Sequence, residues 1–219
     1  MLDRSTYTLS DFLLFSARVY ERMFELHNAE LWPIHLLALA IGACLVVVAL
    51  RPSPRAARFV YLLLAIVWLF VAWAFFFERY ATINWAAVYV VPFFLLEATL
   101  LAFLAMRAKS PLITNGFGFS RMIALGVLLF SLVGYPFVSP VLGRTWLAAE
   151  AFAIAPDPTV TATLALLAMS RGGFAWVASI VPLSWIIVTS LTLWTLGSPE
   201  FAVAPLTALA CGAAYAARR

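Results

Sequence analysis

Charge is what this sequence has least of: 11% of its 219 residues are Asp, Glu, Lys or Arg, against about 25% in an ordinary soluble domain, and 65% are hydrophobic. No water-soluble fold of this length could hide that much apolar surface. Lysine occurs once, at Lys109 beside an apolar run, so a Schiff base to a retinal-type chromophore inside a helix bundle is excluded. Histidine occurs twice, at His27 and His35, both toward one membrane surface, which excludes haem ligation from opposite sides of the membrane. Cys44 and Cys211 lie in separate apolar runs, where a thiol behaves as a small hydrophobe, and no methionine cluster offers a soft-metal site. Gly116-Phe117-Gly118 is far short of a nucleotide-binding loop, and Thr159, Thr161 and Thr163 have no intramembrane histidine or lysine to activate a hydroxyl. No metal and no cofactor is expected, and no enzyme signature is present. The net charge of +4 comes from residues flanking apolar runs, so nucleic acid is not an expected partner.

What the sequence has instead is long apolar segments. Residues 31–50, 59–77 and 122–143 are uncharged, 80–106 is broken only by Glu97, and 172–199 and 201–217 flank Glu200. Between Asp157 and Arg171 lie 13 uncharged residues, a helix of about 20 Å against a hydrocarbon core of about 30 Å. The pattern predicts an all-α integral membrane domain over 31–219 with about seven transmembrane helices, the fifth of them short. If the loops alternate sides, Arg51, Arg55, Arg58, Arg107, Lys109, Arg121, Arg171, Arg218 and Arg219 share one face without an acidic residue. The positive-inside rule makes that face cytoplasmic, which puts the N-terminus outside and the C-terminus inside.

Residues 1–30 form a separate expected element. Leu9, Phe12, Leu13, Val19, Tyr20, Met23 and Phe24 line one side of a helix whose other side carries Asp11, Arg18, Glu21, Arg22 and Glu25, with Thr8 and Asp11 at capping-box spacing. Its charges interrupt what would be the apolar core of a secretory signal. It should lie flat on the outer membrane surface, either as a lid or partner-docking face or as an interfacial anchor. Trp32, Trp85 and Trp194 fall near the outer interface and Trp176 near the inner one, while Trp68 and Trp185 lie deeper, as packing residues. Ala204, Ala208 and Gly212 recur every four residues, a stripe that lets a neighbouring helix approach.

Two residues stand out chemically. Glu97 is an acidic residue deep in an apolar run, about 18 Å below Trp85 at 1.5 Å per residue. It must be protonated, paired or wetted: either a proton- or cation-linked site, or a neutral acid bonded to a neighbouring group. Pro92, one turn earlier, frees a carbonyl that could be that partner. Asp157, in Ala155-Pro156-Asp157-Pro158-Thr159, suits an N-cap with Pro158 at the first helical position, at the start of the short span. Short or broken helices often mark binding sites in transporters. Tyr135, Pro136, Ser139 and Pro140, and Glu30, Pro33 and His35, break up helix ends on the same outer side. The expected substrate-binding set is therefore Glu97, Asp157, Thr159, Tyr135, His35 and Glu30, around a cavity opening outward with Glu97 at its floor. His27, Glu30 and His35 could also meet as an external metal site, but Pro33 interrupts the helix that would space them.

Asn28-Ala29-Glu30-Leu31-Trp32-Pro33, Ile83-Asn84-Trp85-Ala86-Ala87, Tyr135-Pro136, Pro156-Asp157-Pro158-Thr159, Val181-Pro182-Leu183-Ser184-Trp185 and Gly197-Ser198-Pro199-Glu200 together resemble a bacterial family of multi-pass membrane proteins of unknown function. The resemblance spans nearly the whole chain. It implies a multi-pass protein of the bacterial cytoplasmic membrane and no activity. Similar sequences carry a cysteine between the two prolines where this chain has Asp157, so no thiol chemistry carries over. The expected function is small-solute or ion transport or binding through an outward polar vestibule. The alternative is a non-catalytic accessory subunit of a larger membrane complex, docked through the N-terminal helix. The lipid bilayer is the expected partner in both cases.

Overall fold

The computed structural model describes residues 14–51, 53–110, 112, 118–170 and 174–217, which are helical and turn-forming with no strand among them. Thr8, Leu9, Asp11, Phe12, Leu13, Gly116, Phe117, Arg171, Arg218 and Arg219 lie outside the described residues. Helix α1 is Ala17–Glu30, started by the Ser16 hydroxyl accepting from the Val19 amide. An 88° bend separates it from α2, Ile34–Ala49. Helix α3, Pro54–Val71, continues through a π-helical segment, Ala72–Arg79, into Tyr80–Thr82. A 3-10 stretch, Trp85–Val90, leads into α4, Val91–Arg107. Helix α5, Phe119–Leu129, runs on through Phe130–Gly134 to Val141. Helices α6, Pro156–Met169, α7, Ile180–Thr195, and α8, Val203–Ala216, complete the bundle.

Four continuous helical stretches, Pro54–Thr82, Trp85–Arg107, Phe119–Val141 and Ala175–Thr195, are long and apolar enough to cross a membrane; the bent pair α1 and α2 would make a fifth. By themselves α2, α6 and α8 have 16, 14 and 14 residues. The ends of the helices tie into two groups. At one end Arg58 donates to the Ala108 carbonyl, the Ser120 hydroxyl donates to that of Ala214, and Phe103 packs on Phe174. Arg51, Arg55, Arg107, Lys109 and Arg121 sit at these same helix ends. At the other end Arg79 pairs with Glu30 and Arg144 with Glu200.

Helix α1 lies across this second end. Its face of Tyr20, Met23, Phe24 and His27 is buried against protein, not lipid: Phe24 stacks near Phe75 at 5.3 Å and Tyr20 near Tyr80 at 6.0 Å. The bundle end presents an aromatic surface of its own, and ring-on-ring contact there takes up the apolar face that the periodicity assigned to the membrane. Val19 remains exposed, as the lipid-facing arrangement would have it.

The centre of the bundle is α6, whose 14 residues are all buried and which packs against α3, α5, α7 and α8. Its hydroxyls are consumed locally. Thr159, Thr161 and Thr163 each donate at 2.8 Å to the carbonyl four residues back, at Ala155, Asp157 and Thr159. Thr163 also accepts from the indole of fully buried Trp68 at 2.9 Å, which fixes α3 to α6. Thr163→Val should therefore lower the thermal midpoint in detergent by the equivalent of about 1–3 kcal/mol, because it orphans a buried N–H. The Trp68→Phe/Thr163→Val double variant should cost less than the sum of the two single changes, and strict additivity in that double-mutant cycle would contradict the bond.

Candidate functional site

The start of α6 carries the first half of the site. Pro156 and Pro158 occupy the first and third helical positions, where an N–H would be unpaired, so the helix starts inside protein with few donors to satisfy. The N-cap is Ala155, not Asp157 as expected, because the helix already begins at Pro156 and Asp157 is its second residue, too far along to cap the first turn. Asp157 turns to its neighbours instead. Its Oδ1 accepts from the Trp185 indole at 2.7 Å, and its Oδ2 accepts from the Thr189 hydroxyl at 2.9 Å and the Tyr135 phenol at 3.4 Å. Asp157 is 3% exposed, so these three donors stand in for water. Just before it, Ala153 holds a left-handed φ of 63°, with its amide donating to Thr159 Oγ1 at 2.9 Å. That conformation costs a non-glycine residue about 1–3 kcal/mol and is sustained here by its surroundings.

The second half is an ion cluster between the turn after α5 and the start of α8. Arg144 Nη1 lies 2.5 Å from Glu200 Oε2 and 3.8 Å from Glu150 Oε1, and Nη2 donates to the Ala148 carbonyl at 3.4 Å. The guanidinium also sits 5.4 Å from the Phe24 ring centre, under α1. Glu150 and Glu200 are buried, and their remaining oxygens, Oε2 and Oε1, have no hydrogen-bond partner among the described residues. Burial, then the negative charges of Asp157 and Glu200, push the Glu150 pKa well above the usual carboxylate range, against the pull of Arg144.

Above this cluster opens a cleft of about 690 Å³ between α1, the turn after α5 and the α7–α8 turn. Its lining includes Arg18, Tyr20, Glu21, Arg22, Glu25 and Arg144. Glu21 accepts from the Thr145 amide and Glu25 from the Thr145 hydroxyl, so α1 is strapped over the site by its own acidic face.

Of the six expected site residues, Asp157 and Tyr135 touch each other. Thr159 stands two residues on and is spent on Ala153 and Ala155. Glu30 pairs with Arg79, which ties the end of α1 to the segment continuing α3, and His35 lies 3.2 Å from Asn28 Oδ1, which ties α2 to α1. Glu97 is fully buried on the face of α4 that also buries Phe94, Ala98 and Leu101, and neither carboxylate oxygen has a partner among the described residues. Pro92 does not relieve it, because α4 begins at Val91 and Pro92 falls in its first turn, where no helical bond is lost. Neither this cleft nor the groove between α2 and α5 includes Glu97 in its lining. His27, expected at the surface, is buried with Nε2 3.1 Å from the Ile154 carbonyl. Among the described residues no three His, Cys, Asp or Glu side chains gather as metal ligands.

Arg144, Glu150 and Glu200 are not among the site residues expected from sequence. One signal was available: Glu150 is the sole charge in Leu147–Pro156, a run as apolar as the spans and contiguous with one.

Two outcomes follow. Arg144→Met leaves two buried carboxylates without their cation and should destabilise the protein by about 3–5 kcal/mol, with Glu150→Gln and Glu200→Gln added to it restoring most of the loss in thermal melts. Burial holds the His27 pKa at about 4 against an ordinary 6.5, so His27 is neutral in the fold. Its contribution is complete above pH 6.5 and is lost as pH falls toward 4, with a limit on the order of 3 kcal/mol. Wild type should therefore lose more thermal stability than His27→Gln across that window; parallel pH profiles would refute it.

A family model described as a family of unknown function, DUF6064, matches residues 17–214. No curated protein and no solved structure matches the chain.

Proposed function

The chain belongs to DUF6064, a family of unknown function, and we propose from its own residues that it binds or transports a small solute or ion through a polar vestibule at the mixed-charge end. The observation that carries this reading is the imbalance beneath the cleft: Glu150 and Glu200 are both buried beside one guanidinium, Arg144, which lines the cleft, and the buried Asp157 carboxylate acts on Glu150 as a further negative charge. Buried charges of this kind are costly and are found at functional sites far more often than surface charges are.

The same proposal takes α2 to α8 as seven spans of a bacterial cytoplasmic-membrane protein, with α1 and the cleft outside and the arginine-rich helix ends in the cytoplasm. Support comes from the grouping of helix ends and from the arginine distribution across them, which follows the positive-inside pattern. Glu97, enclosed on α4 away from these groups, is a further carboxylate available for proton coupling within the bundle.

A second reading, a non-catalytic subunit of a membrane complex, draws on a different feature. An apolar groove of about 1130 Å³ runs between α2 and α5, lined by Ala38, Gly42, Val46, Leu129, Leu132 and Phe137, among others. Purification in mild detergent separates the two: a stoichiometric partner favours the subunit, and a monodisperse particle that binds a solute favours the vestibule.

Screening small carboxylates, amines and inorganic ions by thermal shift, then by uptake into proteoliposomes, should give a ligand whose binding Asp157→Asn shifts at least tenfold in folded protein, tighter for an anion and weaker for a cation. Unchanged binding in that variant sinks the reading, and unchanged activity in Glu97→Gln removes Glu97 alone from it.

A further inference from the structure

The cleft wall presents three arginines, Arg18, Arg22 and Arg144, against two carboxylates, Glu21 and Glu25. Glu25 accepts at both oxygens, from Thr145 and Arg22, and Glu21 accepts from the Thr145 amide at Oε1. Glu150 and Glu200 do not line it; Arg144 does. A guanidinium carries five N–H donors. Glu200, Glu150 and Ala148 engage the two terminal nitrogens from the buried side. Arg18, on the neighbouring turns of α1, adds a second positive charge to the rim.

An anion docked on Arg144 would unbalance the groups beneath. Those facing Glu150 are Arg144 on its own loop, Tyr20 from α1, Tyr135 from the end of the α5 span, Asp157 from α6 and Glu200 from the start of α8. Asp157 receives three hydrogen bonds, an arrangement that suits the ionised carboxylate. Arg144 is then the single guanidinium shared by Glu150 and Glu200. Sharing it with a third anion withdraws part of their counter-charge, and a proton on Glu150 restores it. Glu150, the more distant of the two from Arg144, has an unpartnered oxygen, Oε2, where that proton sits without breaking an existing bond.

Resting on the solute-binding reading above, we propose that the cleft takes a small carboxylate or phosphate on Arg144, and that its binding draws one proton from water onto Glu150. No covalent bond forms or breaks; the ligand's charge enters together with a compensating proton. A cationic ligand would have the opposite sign, reaching the unpartnered carboxylate oxygens and expelling a proton.

The test is titration calorimetry on the full chain in detergent, in two buffers of different ionisation enthalpy, with acetate, succinate and inorganic phosphate as anion probes and methylammonium as the cation probe. At least one anion should bind with net proton uptake, its affinity rising up to about tenfold per pH unit as pH falls. Glu150→Gln, neutral and nearly isosteric, should keep anion binding and flatten that pH dependence. Arg144→Lys, which keeps the charge and loses the forked donors, should weaken it at least tenfold. Methylammonium binding with proton release, or anion binding without proton uptake in wild type, overturns the inference and leaves the solute-binding reading standing. Binding of no probe of either class overturns both.

Discussion

A carboxylate enclosed by protein has to be given donors, and Asp157 dictates what several other helices supply. The Trp185 and Thr189 side chains come from consecutive turns of α7, and the Tyr135 phenol from the distorted end of the α5 span. Each must arrive at its own side of one small group, which fixes the rotation of α7 and the position of the α5 end relative to α6. The aromatic packing follows from the same point. Trp185, held by Asp157, lies 4.9 Å from Phe76 and 5.8 Å from Phe94, and Phe94 lies 4.4 Å from Trp68, which returns to α6 through Thr163. A closed circuit of contacts therefore runs α6–α7–α4–α3–α6.

The mixed-charge end is built outward from that circuit. The loop descending into α6 carries Ile154, bonded to His27, and Leu147 and Ala149, whose carbonyls accept from Asn28. Helix α1 is thus attached to the loop by side-chain-to-backbone bonds at one end and by Glu21 and Glu25 on Thr145 at the other. Arg144 occupies the space left between α1, this loop and the start of α8. An arginine is suited to that position because its planar fork can meet several oxygens at once while its face rests on Phe24. Under the proposed function, what holds the end of the bundle together is also what a solute in the cleft would touch.

Much of the architecture was legible in the run lengths. Helical segments appear wherever 20 or so residues pass without charge, the segment after Asp157 is a helix of 14 residues, a length α8 shares although its run had no such interruption, and the break before α2 falls at Trp32-Pro33. Asp157 and Tyr135 were legible as candidates, and they do meet, because each sits beside prolines at the broken end of an apolar run. Thr159, Glu30 and His35 looked similar for the same reason, yet their partners are local and structural. Glu97 was legible as buried and illegible as to company, since its helix position says nothing about which neighbours face it.

Composition and periodicity therefore determined that the chain is helical, that its apolar runs are long enough for a membrane, and that carboxylates at positions 97 and 157 lie where water is scarce. These are properties of local stretches, and local stretches carry them in full. The tertiary structure decided that α6 is central and enclosed on every side, that the apolar face of α1 turns toward aromatic rings, and that Arg144, Glu150 and Glu200 meet although 56 residues separate the first from the last. Such a meeting depends on how helices stack in three dimensions, and a charge in a loop reads the same in sequence whether it ends in water or beneath another helix.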